Sequence, residues 1–116
     1  MDTIFINVGM SILIGIIFIL CGLILLYKPP KDINGLYGYR TRRSMKNMTL
    51  WNKGNKYSAK LLIKYGISIM ILGIIISFII AKVEYALLMI IGLMIVASIL
   101  LILTVEKRLK QLENFS

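Results

Sequence analysis

The sequence predicts an all-α integral membrane protein with three transmembrane helices, the second extended by an amphipathic cytoplasmic helix. Of its 116 residues, 59% are apolar and 16% charged, against roughly half and a quarter in a soluble domain. The apolar residues gather into three long runs. The chain is also strongly basic, with 14 Lys and Arg against five Asp and Glu for a net charge of +9. Most of that charge lies between the first two runs.

Ile4 to Tyr27 is 24 residues without a charge, Leu61 to Ala81 is 21 residues interrupted only by Lys64, and Tyr85 to Val105 is 21 residues without a charge. Crossing the hydrocarbon takes about 20 residues at ~1.5 Å rise each, so every run is long enough. Helices of a soluble core would need a polar shell, yet the runs hold 66 of the 116 residues. The first run reads as a retained helix and not as a secretory signal. It is too long for a signal h-region, and Asp2 precedes it where a Lys or Arg would be needed.

Orientation follows from the loops. The segment from Lys28 to Lys60 carries nine Lys or Arg and one Asp, while Lys82-Val83-Glu84 carries a single lysine and no Lys or Arg precedes Ile4. The positive-inside rule puts the 28–60 loop in the cytoplasm of a bacterial cell, the N-terminus and the 82–84 turn outside, and the 106–116 tail inside. Lys107, Arg108 and Lys110 in that tail agree with this topology. So short a turn makes the second and third helices an antiparallel hairpin. Gly73, Ser77 and Ala81 recur every four residues in the second helix, and Ser11 and Gly15 in the first, a spacing that lets backbones approach closely. Three helices bury little surface among themselves, which leaves room for a homo-oligomer.

The basic loop carries the specific information. Pro29 and Pro30 end the first helix, since proline cannot continue it. Asn34-Gly35 and Gly38 supply turn chemistry around Tyr37 and Tyr39. From Ser44 onward the pattern predicts a helix, capped by Ser44 or Thr41. Projected at about 100° per residue, Ser44, Asn47, Trp51, Asn55 and Leu62 share one narrow stripe, and Lys46, Lys53, Lys60 and Lys64 lie roughly opposite. The lysines can reach anionic phospholipid headgroups. The other stripe is free to face protein, its asparagines hydrogen-bonding the connector and Trp51 anchoring it through an indole N–H that needs a partner if buried. Lys64, one turn inside the second run, snorkels to the interface.

The composition also excludes chemistry. There is no histidine, and Cys21 is the single cysteine, so Ser-His-Asp and Cys-His catalysis, an internal disulfide and a cysteine-based zinc site are ruled out. The runs contain no Asp, Glu or His, and Asp32 is the one acid in the large loop, so paired-carboxylate chemistry is missing too. No enzyme, metal or cofactor is implied. The basic residues follow the membrane rule and no nucleic-acid-binding motif accompanies them, so no nucleic-acid partner is expected despite a pI near 9.9.

At Asn34, Tyr37-Gly38-Tyr39-Arg40-Thr41, Ser44, Asn47, Trp51 and Gly54-Asn55 the sequence resembles the signature of the SdpI-like family, N-x-x-[YF]-G-x-R-T-x-x-S-x-x-N-x-x-x-W-x-x-[AG]-N. These are bacterial membrane proteins named for immunity to a sporulation-delaying peptide toxin. The resemblance marks Asn34, Tyr37, Gly38, Arg40, Thr41, Ser44, Asn47, Trp51 and Asn55 as signature residues and treats 1–116 as a single SdpI-like membrane domain. Members of the founding type have further helices ahead of this module. The resemblance implies a membrane immunity protein that protects against a membrane-active, hydrophobic peptide toxin by non-covalent binding. The alternative is a signalling scaffold that recruits a cytoplasmic transcriptional repressor through the basic loop, as the founding system also does. A small transporter or channel ranks third, because Lys64 is the sole charged side chain in the spans that could couple protons to a substrate.

Overall fold

A backbone inside hydrocarbon has no water to satisfy its N–H and C=O groups, so it must satisfy them itself. The computed structural model describes residues 2–80 and 82–115, with the side chains of Asp2, Thr3 and Phe115 left aside. Over these residues the chain forms α1 (Asp2–Tyr27), α2 (Met48–Ile79) and α3 (Val83–Phe115). All three helices are long and apolar enough to cross a membrane, and the protein is a multi-pass membrane protein.

Each helix end has a local cause. The Lys28 N–H still reaches the Ile24 carbonyl at 2.8 Å, but the prolines at 29 and 30 have no N–H to offer and α1 stops. The start of α2 departs from the sequence reading: the helix begins at Met48, not at Ser44. Asn47, in extended conformation, caps it by accepting the Leu50 N–H at 2.9 Å. Ser44 cannot serve there, because its hydroxyl is occupied within a separate tight turn in which the Met45 N–H bonds the Thr41 carbonyl at 3.1 Å. Ser44 and Lys46 therefore stand outside the helix on which the sequence placed them, and the stripe is reduced to Trp51, Asn55 and Leu62. From Met48 onward α2 runs unbroken for 32 residues, about 48 Å, well beyond the ~30 Å of hydrocarbon. It ends with the Ile80 N–H on the Ile76 carbonyl at 3.0 Å. Helix α3 begins at Val83, two residues earlier than the Tyr85 read from sequence. The last stretch, 106–115, continues α3 as helix.

The central helix is α2, which packs against both others, while α1 and α3 barely touch. The α1–α2 seam is built on small residues in antiparallel register: Ser11 against Gly73, Gly15 against Gly66, and Gly22 against Ala59. A Cβ on Gly66 would sit 2.7 Å from the Gly15 carbonyl oxygen, and one on Gly22 would sit 2.7 Å from the Ala59 carbonyl oxygen. In lipid, apolar side chains gain little by leaving the tails for each other, so close backbone approach holds such a seam. Gly22 and Gly66 went unremarked in the four-residue pattern; the seven-residue steps Gly15–Gly22 and Ala59–Gly66–Gly73 carry the signal. Ala81, the last of the pattern, lies outside the described residues. The buried hydroxyls stay on their own helices, with Ser11 donating to the Asn7 carbonyl at 2.9 Å and Ser77 to that of Gly73 at 2.7 Å.

Bulkier residues join α2 to α3. Ile69 meets Ile90, Ala97 and Ile14 within the span, and Leu50 meets Leu101, Val105 and Leu109 at the connector end. Leu109 lies beyond the apolar run, where water competes, so its full burial is worth about 1.5–3 kcal/mol of hydrophobic stabilisation.

Because backbone faces Gly66 with no room to yield, Gly66→Leu should destabilise the detergent-solubilised protein by about 1–3 kcal/mol. Gly92, with nothing near its Cβ position, should accept leucine within about 0.5 kcal/mol. Equal losses in unfolding titrations of the two variants would refute the glycine seam.

Candidate functional site

The signature residues meet where the connector from α1 folds over the start of α2. The connector has no regular secondary structure, so its polar groups need side-chain partners. Asn34 makes the first turn, its Oδ1 accepting the N–H groups of Leu36 at 2.8 Å and Tyr37 at 3.0 Å while its Nδ2 donates to the Asp32 carbonyl at 2.9 Å. The Tyr37 hydroxyl donates to the Lys28 carbonyl at 3.3 Å and ties the turn to the end of α1. Arg40, exposed, donates through Nη1 to the Gly35 carbonyl and closes the loop on itself.

Two residues on α2 hold this loop down. Trp51 is fully buried, and its indole N–H donates to the Pro30 carbonyl at 3.1 Å. Asn55, one turn on, accepts the Tyr39 N–H at 2.7 Å and donates to the Trp51 carbonyl at 2.8 Å. Gly38 fits between them at φ 111°, a region side chains avoid, and a Cβ there would lie 2.6 Å from the Asn55 Oδ1 and 2.9 Å from Pro30. Gly54 likewise leaves room for Tyr39 and Leu109, each 3.2 Å from its Cβ position.

Thr41 and Ser44 lock the next turn reciprocally: the Thr41 N–H donates to the Ser44 Oγ at 2.8 Å, and the Ser44 N–H to the Thr41 Oγ1 at 3.1 Å. The Ser44 hydroxyl in turn donates to the Tyr39 carbonyl at 3.0 Å. Asn47 stays with the helix cap and does not bond the connector.

Several residues at this site were not singled out from sequence. Tyr39 is buried, and its hydroxyl donates to the Glu106 carboxylate at 2.9 Å on α3. Burial, and then that carboxylate, push the Tyr39 phenol well above its ordinary range. Arg43 bridges Glu106 at 2.7 Å and Glu113 at 3.0 Å, and Lys46 joins Glu113 at 2.9 Å. These pairs are partly exposed, so they fix geometry more than they add stability. The available signals were Val105, Leu109 and Leu112 at helical spacing and Glu106 and Glu113 seven apart. Lys46 is thus engaged with protein, while Lys53, Lys60 and Lys64 project exposed from α2. Among the described residues no cluster of His, Cys, Asp or Glu could hold a metal ion.

Trp51 is the single tryptophan, so its fluorescence reports on the site. Wild type should emit at short wavelength and resist acrylamide quenching. Asn55→Ala strands the buried Tyr39 N–H, a cost of about 1–3 kcal/mol, and Gly38→Ala adds backbone strain of about 1–3 kcal/mol. Both variants should shift the emission to the red and melt earlier; wild-type behaviour in either would refute the bracing contacts.

A sequence model of the SdpI/YfhL protein family matches residues 31–104, which contain the whole connector motif, α2 and most of α3. The chain is 41% identical over 99 residues to the uncharacterized protein YfhL of Bacillus subtilis (strain 168), an overlap covering 83% of this chain and 82% of that protein. No solved structure matches. The connector folded on Trp51 and Asn55 is therefore the form that the family signature takes here, and the chain belongs to the SdpI/YfhL family.

Proposed function

We propose that this chain is a resistance protein of the bacterial cytoplasmic membrane, which protects the cell from a membrane-active peptide toxin by non-covalent binding within the bilayer. The reading rests on the family, named for immunity to such a toxin, and on one observation about the site. The signature side chains are spent on each other: Asn34, Trp51, Asn55 and Ser44 all bond the connector or its neighbours, and Arg40 is turned onto Gly35. Residues used in this way brace a helix bundle and offer little to a partner. What remains for recognition is the apolar surface of the helices, including Phe5 and Ile6 on α1 and Leu88 and Ile95 on α3, all exposed.

The N-terminus and the link from α2 to α3 face outward and the connector and the end of α3 inward, following the excess of Lys and Arg in the connector segment. A peptide arriving from outside then meets the outer halves of the helices first. There Asn7 on α1 donates to the Val83 carbonyl at 3.3 Å, so α1 and the start of α3 form one outer surface. The chemistry is association without bond making.

Expression in a toxin-sensitive bacterium tests the reading. Wild type should raise survival. Val83→Asp should abolish protection at unchanged membrane levels, because it sets a second carboxylate beside Glu84 where α1 meets α3, which disfavours a hydrophobic peptide there. Trp51→Ala should lower both protection and membrane levels, since truncating a buried tryptophan costs about 3–5 kcal/mol. Absence of protection by wild type would refute the proposal. If a cytoplasmic regulator was instead retained at the membrane, and released by Arg40→Ala, the scaffold reading would replace it.

A further inference from the structure

Glu106 and Glu113 face the connector on one side of α3. On the opposite side of the same helix end, α2 and α3 leave a groove of about 270 Å³ lined by Tyr57, Lys60, Leu61, Thr104, Val105 and Arg108. The Arg108 guanidinium lies 5.1 Å from the centroid of the Tyr57 ring, which holds it over the groove. Neither Lys60 nor Arg108 has a carboxylate partner among the described residues. Two cations from separate helices thus converge without a counter-ion.

The groove also sits where the chain changes character. Lys60 is the residue before the second apolar run and Leu61 its first, while Thr104 and Val105 close the third run and Arg108 stands one turn beyond. Its cationic end lies at headgroup depth and its apolar floor leads into the hydrocarbon. We propose that this groove binds one anionic phospholipid, with the phosphate between Lys60 and Arg108, the Thr104 and Tyr57 hydroxyls as polar neighbours, and the start of an acyl chain along Leu61 and Val105. The proposal is independent of any toxin.

The other occupants fit less well. A free phosphate would leave the apolar floor uncovered, and a second copy would bring another +9 chain against the same two cations. The groove between α1 and α2, at Leu25, Leu26, Pro29, Asn52 and Lys56, presents one cation, and that at Cys21, Ile24, Tyr37 and Leu62 presents none. A further groove at Arg42, Arg43, Lys46 and Ile102 includes the Glu106 carboxylate in its lining, whereas that between α2 and α3 has two cations and no acid.

The test uses the full chain in nanodiscs of pure phosphatidylcholine or of phosphatidylcholine mixed with phosphatidylglycerol, with lipid retention read by native mass spectrometry after gentle detergent extraction. Wild type should retain phosphatidylglycerol in preference to phosphatidylcholine, and excess inorganic phosphate should not displace it. Lys60→Gln/Arg108→Gln should lower that retention about tenfold, as expected for removing two cations near an anionic headgroup. Lys56→Gln/Lys110→Gln, which removes the same charge from exposed positions elsewhere on the two helices, should change it less than about twofold. Thr104→Phe keeps both cations and fills the groove, so it should also lower retention. Melting in pure phosphatidylcholine checks that each variant is folded. Equal losses in the two double variants, full retention in Thr104→Phe, displacement by phosphate alone, or a dimer that excludes lipid would each overturn the proposal.

Discussion

The hydrogen bond from the Tyr39 N–H to Asn55 is the contact on which the connector end of this molecule depends. An irregular stretch between two membrane helices cannot pair its backbone with a sheet or continue a helix, and burying it unpaired is costly. Asn55 answers with both halves of its amide, one on the connector and one on the Trp51 carbonyl of its own helix. The second bond fixes the orientation needed for the first. Gly38 follows from the same geometry, since any side chain there would occupy the place of the Asn55 oxygen. Once Tyr39 is held by its N–H, its ring is buried and its hydroxyl reaches α3. One amide therefore ties the connector to α2 and, through Tyr39, to α3.

The two ends of the bundle rely on different physics. In the span, α1 and α2 meet backbone to backbone through Gly15 and Gly66, because lipid tails offer apolar side chains as good an environment as each other. Beyond the span water returns, and with it the hydrophobic effect: Trp51 and Leu109 are fully buried there. The long reach of α2 makes this possible. Its 32 residues pass out of the hydrocarbon and provide a post on which both the connector and α3 close.

What the sequence disclosed and what it withheld follow from this division. The bilayer imposes a one-dimensional constraint, so the apolar runs and the bias of positive charge were readable along the chain, as were Trp51 and Asn55 sharing a face. The start of α2 was not. Ser44 and Asn47 are both good caps, and the choice depends on Ser44 being claimed by Thr41 and Tyr39 in three dimensions. The partnership of Tyr39 and Arg43 with Glu106 spans more than sixty positions, and no local pattern announces it. The α3 end was read as a tail because its charges hid the helical spacing of Val105, Leu109 and Leu112. Gly22 and Gly66 were missed because the seam repeats every seven residues as well as every four.

The arrangement of charge at the end of α3 ties the brace to the membrane. Glu106 and Glu113 are seven apart and so share a face, where they draw in Arg43 and Lys46. That pairing consumes both carboxylates of the segment that the connector can reach. Arg108, about 200° around the helix from Glu106 at roughly 100° per residue, is left facing Lys60 with no acid between them. The connector thus leaves α3 with one side whose charges are paired within the protein and another where Arg108 has no carboxylate partner among the described residues. On the proposal above, the anion beside Arg108 is a phospholipid headgroup.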